Sequence, residues 1–233
     1  MYLTILRRCI PLLLLMLIGF LFYFYGGFEL LKWNNIVQMR GELIDTVKRF
    51  PLYAVLIFIA VYIVYTFISI PGLIVLDLLG GFLFPQPFST LMVLFSGTFG
   101  ATMIFLATKH ALGDWLIFKK DGMLYKIKTG FERHQKSYLL FMRLVPIFPL
   151  GIVNIALGLL NVRTWVFIWT TAVGLIPASF IYTQVGSGLG KILDEGGAIS
   201  IYSFLNSQII MALIGIGLLA LMPIFFKKKE KQL

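Results

Sequence analysis

Three polar side chains stand nearly alone in the apolar stretches of this 233-residue chain: Asp77, Arg143 and Asn154. Asp77 is the only acid between Asp45 and Asp114. Arg143 opens the run RLVPIFPLGIVNIALG, which holds Asn154 and ends at Gly158. A charged side chain at membrane depth costs ~2.5–3.5 kcal/mol on insertion scales, so it usually faces a partner or a wet cavity. The arginine fork can hold a phosphate by two parallel bonds. It can equally serve as an interfacial anchor that snorkels to headgroups. Asp77 could neutralise Arg143 or cap a half-helix, and Asn154 could satisfy broken backbone or touch a polar headgroup. Lys109 and the pair Thr170-Thr171 are the other polar groups available to such a path.

This is chemistry of binding rather than of bond cleavage. There is no nucleophile–base pair with local support and no phosphate loop. The lone Cys9 excludes an internal disulfide framework and a cysteine metal cluster, and His110 and His134 are not in metal-ligand spacing. The chain is expected to be no enzyme and to need neither metal nor cofactor.

The elements that must position these residues are membrane helices. Hydrophobic residues make up 59% of the chain and charged ones 13%, far from a soluble domain. Apolar runs recur at Ile10–Phe28, Leu52–Ile70, Ser89–Thr108, Trp165–Val185 and Phe204–Phe226, each near the ~20 residues a helix needs to cross the hydrocarbon. The first follows Arg7-Arg8 but is long and meets no small-x-small cleavage site, so it is expected to be retained. The net charge of +10 then describes basic loops that hold orientation and touch anionic lipid, not a nucleic-acid surface. Lys32, Arg40, Lys48 and Arg49 lie in the first connection, six basic residues between Lys119 and Lys136 in the central one, and Lys227, Lys228, Lys229 and Lys231 in the tail. The positive-inside rule places all three in the cytoplasm; Arg7 and Arg8 pull the other way and leave the side of the N-terminus open. Segment 29–50 carries apolar residues among charges at helical spacing and is expected to lie in the headgroup plane. For 113–136 an interfacial helix and a loop remain equal alternatives. Gly186-Ser-Gly-Leu-Gly190 is expected to be a flexible connection.

Two apolar stretches cannot be straight helices. After Ile70 comes PGLIVLDLLGGFLFPQP, with breaks at Pro71, Gly72, Gly80 and Gly81. The second is the run from Arg143, broken at Pro146, Pro149 and Gly158. Broken backbone is tolerable in a bilayer only where protein or water covers it, so both stretches, 71–88 and 144–163, are expected to be re-entrant hairpins packed inside the bundle, with Asp77 near the first tip. Pro71 precedes Gly80, and Pro149 precedes Gly158, by the same interval. A helix follows each, one with Gly97 and Ala101, the other with Gly174 and Ala178. One span separates the hairpins, so they enter from opposite faces. An all-α polytopic fold results, built as an inverted repeat of hairpin plus transmembrane helix, an arrangement associated with transport sites. The expected division is 1–51 for the N-terminal helix and interfacial segment, 52–190 for the core and 191–233 for a last helix and basic tail.

The pattern Pro-Gly…Gly-Gly-x-Leu-Phe…Gly-x-x-Gly-Ala, then Arg143-Leu-Val-Pro146-x-x-Pro149…Asn154…Gly158, then Phe167…Thr171-x-x-Gly174-x-x-Pro177, resembles the DedA superfamily, and within it the VTT-domain branch of SNARE-associated Golgi proteins, over about residues 50–190. The resemblance implies two opposed re-entrant hairpins and movement of lipids between leaflets. The chain departs from the proton-coupled bacterial branch: Leu73 stands where that branch has an acid and Pro149 where it has a second arginine, so proton coupling is not carried over. Lys109 is the basic substitute for an arginine common in that helix. The compact form fits a bacterial member in the cytoplasmic membrane. The expected partners are membrane lipids with phosphate-bearing headgroups, and no nucleic acid; a homo-oligomer is left open. Sparse polar groups suit a headgroup groove whose tails stay in lipid. The alternatives are an ion- or proton-coupled small-solute transporter and a non-transporting assembly or homeostasis factor.

The orientation is testable with single cysteines on a Cys9→Ser background. A cysteine beside Lys229 is expected to react with membrane-impermeant maleimide only after the cytoplasmic face is opened; labelling in intact cells reverses the assignment.

Overall fold

A computed structural model describes residues 39–113, 135–144 and 149–194. The expected spans Ile10–Phe28 and Phe204–Phe226, the central basic segment, Pro146 and the tail lie outside the described residues. Among those described, seven α-helices and one π-helical turn account for nearly all of the chain. They are α1 (Arg40–Arg49), α2 (Pro51–Ile68), α3 (Leu73–Leu83), α4 (Phe88–Thr108, continued by the π turn Lys109–Gly113), α5 (Gln135–Leu144), α6 (Leu150–Leu159) and α7 (Thr164–Asp194).

Among the described residues three helices are long and apolar enough to cross a membrane: Pro51–Ile68, Phe88–Ala111 and Thr164–Lys191. They match the three central spans expected from hydropathy. The 18 residues of α2 rise ~27 Å at 1.5 Å each, close to the ~30 Å of hydrocarbon. Pro51 opens α2 at a position where its missing N–H costs nothing. The outward faces of α2 and α4 carry Leu52, Leu56, Ile57 and Val61, and Leu91, Phe95, Phe99 and Met103, all exposed, as helices facing lipid require. α1 buries no residue and ends in Lys48 and Arg49, in keeping with a position in the headgroup plane.

Pairwise contacts fix the directions. Tyr65 bonds the Pro71 carbonyl, Tyr62 meets Asp77, and Phe58 packs on Phe84, so α3 runs back along α2. Gly97 lies against Tyr62 and Gly100 against Thr66, so α4 runs parallel to α2. Phe105 stacks on Phe167 (4.1 Å between centroids), Gly97 meets Leu175, and Thr90 bonds Thr183 at 2.7 Å, so α7 is antiparallel to α4. Each of these two opposed spans is preceded by a short apolar helix, α3 or α6, and this is the inverted repeat.

The repeat is tighter than the proline–glycine spacing indicated. Leu76, Asp77, Gly80 and Gly81 are the first four buried positions of α3, and Val153, Asn154, Leu157 and Gly158 those of α6. In this register Asp77 equals Asn154 and Gly81 equals Gly158, one residue off the pairing of Gly80 with Gly158. The equivalent glycines make reciprocal contacts. A Cβ on Gly81 would collide with the Thr183 carbonyl of α7, and one on Gly158 would lie 2.8 Å from the Phe105 carbonyl of α4. Each half of the repeat is gripped by the long helix of the other.

The hairpin breaks are corrected accordingly. α3 runs unbroken through Gly80 and Gly81, and α6 through Gly158. These glycines serve close helix approach, which offsets their weak helix propensity. The breaks that remain are at Pro71-Gly72 and at Pro149. Gly72 has φ +97°, a conformation open to glycine at little cost, and Ser69 ends α2 in the same left-handed region at φ 59°. The first turn therefore sits at Ser69–Gly72, with α2 and α3 as its arms, instead of inside 71–88. The second break is at Pro149, where α6 begins. The glycine-rich stretch from Gly186 to Gly190 is also helical, within α7, and Gly186 serves close approach, since a Cβ there would strike the Leu78 carbonyl.

A Gly81→Ala variant is expected to lose about 1–3 kcal/mol through overpacking against backbone that cannot move aside. Gly188→Ala, with nothing within 4 Å of the added Cβ, is expected to be neutral or slightly stabilising. Thermal unfolding of both in detergent checks this; equal midpoints would remove the backbone contact as the reason for Gly81.

Candidate functional site

The end of α2 meets the start of α6. A Cβ on Gly151, in the first turn of α6, would collide with the Cβ of Ser69 at the end of α2. Around this junction the fold collects its polar side chains at the middle of the spans, since Arg143 lies against Gly174 of α7, and the neighbouring Leu175 lies against Gly97 of α4.

Arg143 is the most constrained of them. It comes from the last turn of α5 and is 6% exposed. A side chain at position 174 would occupy its Cβ, so Gly174 is what admits it. Its Nη2 donates to Asn154 Oδ1 at 2.6 Å and to Thr171 Oγ1 at 3.0 Å. Its guanidinium carbon lies 5.2 Å from the centre of the Phe167 ring, a cation–π distance. Asn154 is fully buried in α6. Because arginine only donates, the amide must turn its oxygen to Nη2, and Asn154 Nδ2 then points away. Arg143 Nε, Arg143 Nη1 and Asn154 Nδ2 are all buried without a hydrogen-bond partner among the described residues. Thr170, beside Thr171, bonds back to the Val166 carbonyl and takes no part.

Asp77 occupies the equivalent position of the other repeat and has different company. It is 7% exposed and accepts a 2.5 Å bond from the Tyr62 hydroxyl. Tyr62 in turn packs over Gly97 as Arg143 packs over Gly174. The charge pair between Asp77 and Arg143 that the sequence allowed is not formed: each is held by uncharged groups of its own repeat. Asp77 is also no hairpin tip and no helix cap, since α3 begins at Leu73.

Lys109 lies apart from this centre. Its Nζ donates to the Val162 carbonyl at 2.7 Å, approaches Thr164 Oγ1 at 3.4 Å, and sits 5.6 Å from the Phe105 ring centre. It closes the turn between α6 and α7, which makes it a structural tie at the end of the spans. Of the residues singled out from sequence, the fold thus brings Arg143, Asn154 and Thr171 together and sets Asp77 and Lys109 elsewhere. Sequence reasoning missed Tyr62 and Phe167 as partners. Phe167 stands in the sequence only as part of the family pattern, and Tyr62 gives no signal, being one of three tyrosines in an apolar span.

Among the described residues no group of three or more His, Cys, Asp or Glu is placed to hold a metal ion.

Comparison with known proteins gives a consistent picture. The VTT domain profile matches residues 70–188. Transmembrane protein 41 homolog of Caenorhabditis elegans is 32% identical over 176 residues, 74% of this chain and 69% of that protein. Transmembrane protein 41B of Rattus norvegicus is 28% identical over 228 residues, 91% of this chain and 76% of that one, and the human protein of the same name is likewise 28% identical. No solved structure matches the chain.

Tyr62→Phe is expected to cost about 1.5–3 kcal/mol, the range for a hydrogen bond to a charged group. Unfolding in detergent reads this out. A Tyr62→Phe protein as stable as the parent would mean that the bond to Asp77 holds nothing in place.

Proposed function

Because the chain belongs to the VTT-domain family, we propose that it moves lipid between the two leaflets of its membrane, as a transporter of the scramblase or flippase kind. The observation that carries this reading is the position of Arg143: a guanidinium beside the middle of the spans, held by Asn154 and Thr171, with hydrogen-bonding capacity left over. A polar headgroup crossing a bilayer meets its barrier at that depth, because the hydrocarbon offers no hydrogen bonds. A polar foothold there lowers the barrier while the tails remain in lipid. The inverted repeat supports the reading, since opposed broken helices that meet near the midplane are the construction used by many transporters for a site reached from either side. Phospholipids and lipid carriers are the substrates with the right chemistry. The basic residues of the tail support a C-terminus on the cytoplasmic side.

The test is purified protein in liposomes with a fluorescent-lipid accessibility assay. Exchange well above that of protein-free vesicles is expected. Arg143→Ala is expected to abolish it with the protein still inserted, and Arg143→Lys to keep part of it, because lysine supplies the charge without the planar fork. Exchange at the protein-free rate across several lipid classes would instead favour a non-transporting assembly factor.

A further inference from the structure

We infer that the seam between α4 and α7 admits hydroxyl-bearing molecules at one end only. The end formed by Gln86, Ser89, Thr90 and Thr183 is a mouth for water or for the hydroxyls of a lipid headgroup, and the end formed by Phe105 and Phe167 is shut. The inference deepens the lipid reading and rests on it only for the headgroup as a source of those hydroxyls.

The open end is one proton short. Thr183 Oγ1 lies 2.7 Å from the Ser179 carbonyl, which can only accept, so Thr183 donates there. Thr183 also meets Thr90 at 2.7 Å, and Thr90 meets Gln86 Oε1 at 2.7 Å. Three short oxygen contacts thus share the protons of two hydroxyls. Turning the Gln86 amide end for end would supply the missing proton from Nε2. The amide oxygen would then take the buried place in which Nε2 has no partner among the described residues. In either orientation one amide atom is left unmet. Ser89 Oγ, three residues on and on a fully buried side chain, is unmet as well. A hydroxyl both donates and accepts, so it answers the amide whichever way it points. An oxyanion answers only the nitrogen, and an ammonium only the oxygen. Gln86 is half-buried, the neighbouring Pro87 and Phe88 are exposed, and a span begins at Phe88. The cluster therefore lies at headgroup level rather than in the hydrocarbon.

The other end is built differently. Phe105 and Phe167 stack with their centroids 4.1 Å apart, and both are fully buried. Buried hydroxyls in this half are met, Thr108 by the Ile104 carbonyl and Thr170 by the Val166 carbonyl. Lys109 fastens the end of α4 to the Val162 carbonyl.

The repeat supplies a third and independent observation. In the register that equates Gly81 with Gly158, Ser89 and Thr90 equal Val166 and Phe167. Each pair stands in the first turn of a long helix. Thr90 and Phe167 each meet the opposite long helix from there. One half makes this contact with an aromatic stack and the other with hydroxyls, so the difference between the two ends is written into the sequence.

Single cysteines on a Cys9→Ser background test this in the full chain, held in lipid nanodiscs so that a charged, membrane-impermeant methanethiosulfonate reaches both faces. Ser89→Cys and Thr90→Cys report the open end, and Ala101→Cys and Thr108→Cys the shut one. All four residues are 8% exposed or less, so burial alone predicts equal protection. Positions 89 and 90 are expected to react at least about tenfold faster than 101 and 108, through local opening at the mouth. Equal rates at the two ends, fast or slow, overturn the inference, as does faster reaction at 101 or 108. Nanodiscs of phosphatidylglycerol are compared with phosphatidylmethanol, which has the same charge and no headgroup hydroxyl. Slower labelling of 89 and 90 in phosphatidylglycerol assigns the headgroup as the occupant; the same rate in both assigns water. Ser89→Ala is expected to unfold at or above the parent midpoint, because it removes a buried hydroxyl that bonds nothing. A clearly lower midpoint would make Ser89 a part of the fold and overturn its place in the mouth. No arm measures leaflet exchange, so the mouth can fail while the lipid reading stands, and the reverse.

Discussion

An amide or carbonyl freed from a helix has no water to turn to inside a bilayer, and the arrangement around the two helix breaks follows from that constraint. At the first break the Ser69 amide bonds the Thr66 carbonyl and the Ile70 amide the Tyr65 carbonyl, while the Tyr65 hydroxyl reaches the Pro71 carbonyl at 2.7 Å. α3 restarts with the Val75 amide on the Gly72 carbonyl. Where α6 ends, the Asn161 and Val162 amides close on Gly158 and Leu157, and the Val162 carbonyl is taken by Lys109. The freed groups at these ends are thus met from within the chain, by backbone, by the Tyr65 hydroxyl and by the Lys109 ammonium, while Pro71, Gly72 and Pro149 themselves stay exposed.

Much of this was legible beforehand because the bilayer writes in a coarse script. Spans of fixed length, prolines that stop helices and charges that avoid hydrocarbon leave marks that hydropathy and spacing can read. The three central spans fell within a few residues of their helices on that basis, apart from the far end of α7. Arg143, Asn154 and Thr171 stood out because polar groups are scarce there. Which of them touch was not legible. Asp77 and Arg143 are of opposite charge and comparable depth, and the obvious pairing was wrong, because Tyr62 reaches Asp77 from the preceding helix at a separation that no local pattern marks.

Glycine was the main source of misreading. A glycine pair in an apolar segment weakens a helix on propensity, and Gly80-Gly81 and the run from Gly186 to Gly190 were read as interruptions for that reason. Propensity is a one-chain quantity. In contact with a second helix the same absence of a side chain permits backbone to approach backbone, and packing outweighs the roughly 1 kcal/mol lost. Gly81 against Thr183 and Gly186 against Leu78 lie at one crossing of α3 with α7. Only knowledge of the partner helix tells a break from a contact of this kind.

The reciprocal grip of the two halves has a bearing on how such a chain could have arisen. Gly81 of the first half needs α7, and Gly158 of the second needs α4, so neither half completes its own core. A shorter chain holding one hairpin and one long helix could make these contacts only with a second copy inserted upside down in the same membrane. Such a chain would have to cross in both orientations, and so could not carry the lopsided lysine and arginine loops that fix a direction. Fusion into one polypeptide removes that restriction. Once the halves are joined, each can acquire its own charges, and one can carry an aspartate where the other carries an asparagine.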